Sequence, residues 1–360
     1  MRSGCCRAWV LVLAVVSIMV GLREPMVTAQ AGVAPATVTI RRNNTLNGAV
    51  WPGDFNGDGI ADLAGNDPFT SSGPLALVVL GKGDGTFGTP IRTQCACSVL
   101  DVGDFDNDGR ADLLVEPSSG PVLVLPGNGN GTFGTGRPVT QAASRLRAGF
   151  VADLDGDRTI DVVLLAGDEF DGQVMVVPGN GDLTFRPATI LTAPTIPYGG
   201  AAADLDGDGK KDIVVANHDG HSISIFLNQG SFTFAAADMP LDRQANAVVS
   251  GDLNLDGKMD LIVATSSDAG DDFFYTDGYA YVLIGNGNGT FAEVSEKSGI
   301  TKTNGTYGLA VLVAARPAQM PAGTRVPARC LRSRRRWPTD PHAAEIGRRP
   351  APAAGHLRWR

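Results

Sequence analysis

The stretch Asp204-Leu-Asp206-Gly-Asp208-Gly209-Lys-Lys-Asp212 puts carboxylates at positions 1, 3, 5 and 9 of a nine-residue run, with glycine at position 6. Alternate carboxylates on a tightly curled loop can converge on one point and offer it nothing but oxygen. That is the donor set of a hard cation such as Ca2+, which takes six to eight oxygens at about 2.3–2.6 Å. Glycine at position 6 permits the left-handed backbone of the sharp turn. Position 7, Lys210 here, would add a backbone carbonyl.

The pattern recurs four more times. Asp54, Asn56, Asp58 and Asp62 form the first copy, with Ile60 at position 7. Asp104, Asp106, Asp108 and Asp112 form the second, with Arg110. Asp153, Asp155, Asp157 and Asp161 form the third, with Thr159, and here Arg158 stands where the others have glycine. Asp252, Asn254, Asp256 and Asp260 form the fifth, with Lys258. The first positions are 50, 49, 51 and 48 residues apart, a period that marks repeated supersecondary units. Up to five calcium sites are expected. The one at 153–161 should be the weakest, because a non-glycine residue in the left-handed region costs about 1–3 kcal/mol. An EF-hand would need a bidentate Glu at position 12. That position holds Gly65, Val115, Leu164, Val215 and Val263, which excludes it.

These loops must be positioned by strands. From each last Asp the chain enters an apolar run such as Asp161-Val-Val-Leu-Leu or Asp212-Ile-Val-Val. A second run follows and ends in a glycine-rich turn and Phe, as in Val122-Leu-Val-Leu-Pro-Gly-Asn-Gly-Asn-Gly-Thr-Phe133. Asn-Gly and Asp-Gly between β-rich runs signal hairpins. The residues before each loop are small and apolar, as in Gly199-Gly-Ala-Ala-Ala203. Each period therefore reads as four strands, A to D, with the acidic loop joining A to B. Four-stranded units repeating at this length predict an all-β protein, a β-propeller of four-stranded blades with five clear repeats and the start of a sixth.

Those two motifs carry a resemblance. The Asp-x-[Asp/Asn]-x-Asp-Gly-x-x-Asp loop and the Val-x-Val-x-x-Gly-Asn-Gly-x-Gly-Thr-Phe turn resemble the FG-GAP/VCBS repeat proteins, whose blades are similar to the N-terminal propeller of integrin α-subunits. The likeness runs through residues 48–311. It implies a calcium-binding propeller, usually exported, used in adhesion or ligand binding, with the loop acids as metal ligands.

The rest of the chain is consistent with export. Residues 1–29 combine Arg2 and Arg7 with the apolar run Ala8–Leu22 and small residues at Val27-Thr-Ala29, the pattern of a secretory signal peptide. Residues 35–311 hold the repeats. Residues 312–360 break off in mid-motif after Asn304–Val311 and turn Arg/Pro/Ala-rich. From Arg316 onward the tail carries 11 Arg, one Asp and one Glu, a charge of +9 that leaves −17 for the remainder. A disordered or frameshifted tail is expected. Cys95 and Cys97 read as two thiols on one strand face, with no disulfide framework.

Alternating connections place the acidic loops and Asn-Gly turns on one propeller face and the variable B–C loops on the other. Variable loops on a rigid scaffold are where binding usually resides. The aromatics and carboxylates of Ser266–Tyr279 could meet a sugar, and His218 and His221 could be ligands or bases, but the first segment reads sooner as a solvated loop and the two histidines as part of a surface loop. No nucleophile elbow or phosphate-binding loop is present, so catalysis is not expected. The reading is a monomeric, secreted module that binds an extracellular protein or glycan. It involves no nucleic acid, and no membrane span remains after signal cleavage. The alternatives are a lectin-like carbohydrate binder or the scaffold of a secreted lyase or hydrolase.

Overall fold

The computed structural model describes residues 47–67, 75–93, 95–139, 145–167, 171–266 and 279–294. The signal-like segment, the loop 267–278, the lead-in 304–311 and the tail 312–360 lie outside these residues.

The described chain forms five four-stranded sheets. The first contains β1 (Asn47–Gly53), β2 (Asp62–Asp67), β3 (Leu75–Val79) and β4 (Ile91–Arg92). The second contains β5 (Cys97–Gly103), β6 (Asp112–Pro117), β7 (Leu123–Leu125) and β8 (Arg137–Pro138). The third contains β9 (Leu146–Ala152), β10 (Asp161–Gly167), β11 (Gly172–Val177) and β12 (Thr189–Ala193). The fourth contains β13 (Pro197–Ala203), β14 (Asp212–Asn217), β15 (Ser222–Gly230) and β16 (Thr233–Pro240). The fifth contains β17 (Gln244–Gly251), β18 (Asp260–Ser266), β19 (Tyr279–Gly285) and β20 (Phe291–Glu293). In every sheet the strands lie side by side in chain order and pair antiparallel. This is the blade expected from the repeats, and the architecture is a β-propeller of such blades.

Burial explains the composition of each strand. β10 and β14 are covered on both faces by neighbouring sheets, so they read as continuous apolar runs: Val162 to Leu165 and Ile213 to Val215 are fully buried. Each such side chain contributes about 1.5–3 kcal/mol relative to exposure. The fourth strands are edges. β4 and β8 have two residues each, and β8 contains Pro138. Short, proline-bearing edges resist further strand addition.

The apolar core is divided among the sheet-to-sheet contacts. One cluster joins the first and second sheets through Val78 and Leu113, and another joins the second and third through Leu114 and Leu164. A third joins the third and fourth through Leu165 and Phe226, and a fourth joins the fourth and fifth through Val214 and Leu283. Close approach at the inner strands depends on small residues. A Cβ on Gly200 of β13 would lie 2.6 Å from the Phe150 ring on β9.

The sequence expectation fails at one point. Cys95 and Cys97 form a disulfide with Cα atoms 5.3 Å apart, where two thiols were expected. The chain bends at Cys95, just before β5, which draws the two Cα atoms closer than the roughly 6.5 Å of an extended i, i+2 pair and brings the two sulfurs together.

Candidate metal centres

Every acidic loop folds the same way, and its own carboxylates cap it. The Asp at position 1 accepts the N–H of position 6 through Oδ2. The distances are 2.8 Å for Gly59 to Asp54, 2.9 Å for Gly109 to Asp104 and 3.1 Å for Arg158 to Asp153. Gly209 to Asp204 and Gly257 to Asp252 are both 2.9 Å. Oδ1 of the position-5 Asp accepts the N–H of position 7, as in Lys210 to Asp208 at 2.8 Å. These bonds hold the acids on the inside of the curl. They also pull Asp54 below the usual carboxylate range, chiefly through the Gly59 N–H.

The turn needs two left-handed residues, and only position 6 was anticipated. Position 4 is also left-handed in every copy. It is Gly57 (φ 73°), Asn107 (57°), Gly156 (79°), Gly207 (82°) and Leu255 (62°). Two of these are not glycine, which hid the requirement in the sequence. Arg158 does adopt φ 72° at position 6. The left-handed region costs an ordinary residue about 1–2 kcal/mol. Arg158→Gly is therefore expected to raise the melting temperature by about 2–4 °C, measured by thermal unfolding; an unchanged or lower value would show that the loop carries no strain there.

Position 9 has a task that the spacing did not reveal. Asp62, Asp112, Asp161, Asp212 and Asp260 are all buried. In each, Oδ2 accepts the N–H of position 2, namely Phe55 (2.9 Å), Phe105 (2.9 Å), Leu154 (2.9 Å), Leu205 (2.7 Å) and Leu253 (2.8 Å). Oδ1 accepts an N–H from the end of the third strand or just beyond it, namely Gly81 (2.7 Å), Gly127 (2.7 Å), Gly179 (3.0 Å), Asn228 (2.8 Å) and Gly285 (2.8 Å). One carboxylate thus ties the acidic loop to the glycine-rich turn of its own sheet. A carboxylate oxygen has two lone pairs, so each keeps one available for a cation.

Several of these acids are gathered tightly. Carboxylate oxygens of Asp104, Asp106 and Asp108 lie within 4.8 Å of one another, as do those of Asp153, Asp155 and Asp161 and those of Asp204, Asp206 and Asp212. Burial, reinforced by the neighbouring acids, pushes Asp112 and Asp161 up to about 6 and raises Asp212. Protein cations meet this charge only in part. Arg110 lies 3.2 Å from Asp108, Lys210 pairs with Asp208, and Arg186 lies 3.2 Å from Asp155. Such exposed pairs contribute little. An all-oxygen, multiply anionic donor set suits a hard divalent cation. The first and fifth loops, with Asp54, Asn56, Asp58 and Asp62 and with Asp252, Asn254, Asp256 and Asp260, share the backbone capping, but among the described residues their three carboxylates are not gathered as tightly as in the other loops.

The glycine-rich turns sit at the same end of the sheets as the acidic loops. Gly81, Gly127 and Gly179 bridge Phe87, Phe133 and Phe185, closing each turn before the short fourth strand begins. At the opposite end, near the start of β13, Tyr198 is exposed. Its ring centroid is 4.7 Å from that of His218, and the Arg147 guanidinium lies 5.7 Å from it. His218 Nδ1 is 2.5 Å from Asp219 Oδ1. The sequence singled out His218 but not Tyr198 or Arg147, which occupy equivalent positions of successive first strands, six residues before the acidic loops. The aromatic loop 267–278 is outside the described residues.

Comparison with known proteins agrees with the repeats. A family model described as "FG-GAP-like repeat" matches residues 54–115, 104–164, 153–215 and 204–263. Integrin alpha-PS3 of Drosophila melanogaster is 29% identical over 114 residues, 28% of this chain and 10% of that protein, so the chain spans about a tenth of the relative's length. Among solved structures, an Agrocybe aegerita lectin recognising non-reducing terminal N-acetylglucosamine aligns over 68% of this chain and 64% of its own, with 23% identity and a TM-score of 0.46. The V. cholerae biofilm matrix protein Bap1 aligns over 70% of this chain and 39% of its own, with 15% identity and a TM-score of 0.42.

Proposed function

The chain belongs to the FG-GAP-like repeat family, and from that premise we propose that it is a secreted, calcium-stabilised β-propeller that binds an extracellular protein or glycan on the face opposite its acidic loops. Similarity to an integrin α-subunit supports an extracellular setting. So does the signal-like segment 1–29. Among the described residues, no helix is long and apolar enough to cross a membrane. Residues 35–311 are the propeller in this reading, and 312–360 a tail outside it.

Calcium would be held by the acids at positions 1, 3, 5 and 9 of each loop, together with the position-7 carbonyls of Ile60, Arg110, Thr159, Lys210 and Lys258. When bound, it neutralises the carboxylates gathered by the curl. The protein's own groups fix the loop by backbone capping and anchor it through position 9. The loops brace one face, and the other is left to recognition.

The observation that carries the binding assignment is the group at Tyr198. An exposed aromatic ring flanked by a guanidinium and an imidazole–carboxylate pair offers a flat apolar surface with hydrogen-bonding groups beside it. Rigid aromatics with arginine dominate binding energy at many interfaces. Glycan and extracellular-protein arrays probed with the full chain in calcium would identify the ligand class. Tyr198→Ala is expected to weaken the captured interaction by at least about tenfold, with the melting temperature unchanged. Capture that survives the substitution would place the binding site elsewhere.

A further inference from the structure

The same joint is built four times between successive sheets. Its socket is the position-2 residue of an acidic loop, and its plug is the glycine-rich turn of the following sheet. Phe133 meets Phe55 edge-on, with ring centroids 5.9 Å apart, and the Gly131 N–H donates to the Phe55 carbonyl at 2.8 Å. Phe185 meets Phe105 in the same way at 6.2 Å. In the next joint Asn228 Nδ2 donates to the Leu154 carbonyl at 2.7 Å, and Phe234 packs on the same cluster. In the fourth, the Gly289 N–H donates to the Leu205 carbonyl at 3.0 Å, beside Phe291. The four socket residues Phe55, Phe105, Leu154 and Leu205 are 1–2% exposed.

Among the described residues, both ends of the series leave half of this joint open. Leu253, the fifth socket residue, is only half-buried, and Leu255 beside it is 45% exposed. In the first sheet Gly85 occupies the place of Gly131 and Gly289. A Cβ on Gly131 would lie 2.8 Å from Ile91, and one on Gly289 would lie 2.7 Å from Leu227, both in the preceding sheet. Gly85 is exposed, has φ 82°, and has open space in that direction.

We propose that the Leu253 socket of one copy of this chain receives the Gly85-Thr86-Phe87 turn of a second copy. The occupant follows from the interface itself: plug and socket of this type already fit four times within one chain, and the unfilled plug and socket are carried by the same molecule. The contact is head-to-tail, so copies add through unlike surfaces. This differs from the monomer expected from sequence and is independent of what the opposite face binds.

The test is sedimentation velocity of the full chain in millimolar calcium, from micromolar to hundred-micromolar concentration. Average mass is expected to rise with concentration. Leu253→Glu destroys the socket, and Gly85→Asn, which tolerates a left-handed backbone, fills the plug's contact. Each is expected to weaken self-association at least about tenfold. An equimolar mixture of the two variants is expected to form dimers and nothing larger, because one intact plug and one intact socket remain. A wild-type chain that stays monomeric throughout would overturn the proposal. So would association that both variants retain, since it would then use another surface.

Discussion

Stripping calcium from the chain with EDTA at neutral pH is expected to lower its melting temperature by about 5–25 °C. Extracellular sites commonly bind with dissociation constants of about 10⁻⁴–10⁻³ M. At about 1 mM calcium each such site then adds about 0.4–1.4 kcal/mol by mass action. Five together approach the net stability of an ordinary domain, about 5–15 kcal/mol. The pH dependence gives the effect a second signature. Asp112 and Asp161 are pushed up to about 6, above the ordinary aspartate value. A raised carboxyl favours the fold fully below its unfolded value near 4, and that contribution is lost as pH rises through about 6. In EDTA the melting temperature is therefore expected to fall between about pH 5 and pH 7.5. In calcium the fall should be smaller, because the cation replaces the proton. Thermal unfolding at both pH values, with and without calcium, checks this; a melting temperature indifferent to calcium would make the loops solvated turns.

Gly127→Ala is expected to cost about 2–6 kcal/mol. The added Cβ would lie 2.3 Å from the Ala111 carbonyl oxygen and 3.2 Å from its carbon. Both are backbone atoms, which no rotamer change can move. Relief requires the third strand to shift, which withdraws the Gly127 N–H from Asp112 Oδ1. Overpacking costs about 1–3 kcal/mol, and depriving a buried carboxylate of a donor adds about 1–3 kcal/mol. Gly88→Ala is the control. Its Cβ would meet only the Leu80 carbonyl at 3.6 Å, an ordinary contact, so its effect should stay within about 0.5 kcal/mol. Denaturant unfolding of both variants measures the difference, and equal stabilities would refute the clamp.

Much of this was legible in the residues. The period located five units, and the loop acids with their following apolar runs located the second strand of each. Antiparallel order in every sheet then followed from short connections. What escaped is physically coherent. Left-handed backbone at position 4 was hidden because Asn107 and Leu255 occupy it in two copies. The double duty of position 9 escaped because its second donor lies 15–25 residues away, beyond any local spacing. The recurrence of a Phe after each turn suggested a hairpin residue, whereas Phe133 and Phe185 pack against the sheet before their own. Tyr198 and Arg147 are single residues of unrelated type, and only the packing of adjacent first strands brings them together. Strand spacing alone suggested that the Cys95 and Cys97 side chains share a face, but not that they bond.

The direction of the sheet-to-sheet joint bears on synthesis. Each socket is laid down before the turn that covers it, so a repeat leaving the ribosome is completed only when the next has emerged. Domains generally fold N-terminal first as they are made. Here the growing chain exposes one uncovered socket at a time, always the newest. A pause or truncation between repeats leaves a single sticky site rather than a whole unfolded core. Chaperone demand should therefore track the last repeat made, not the length already synthesised.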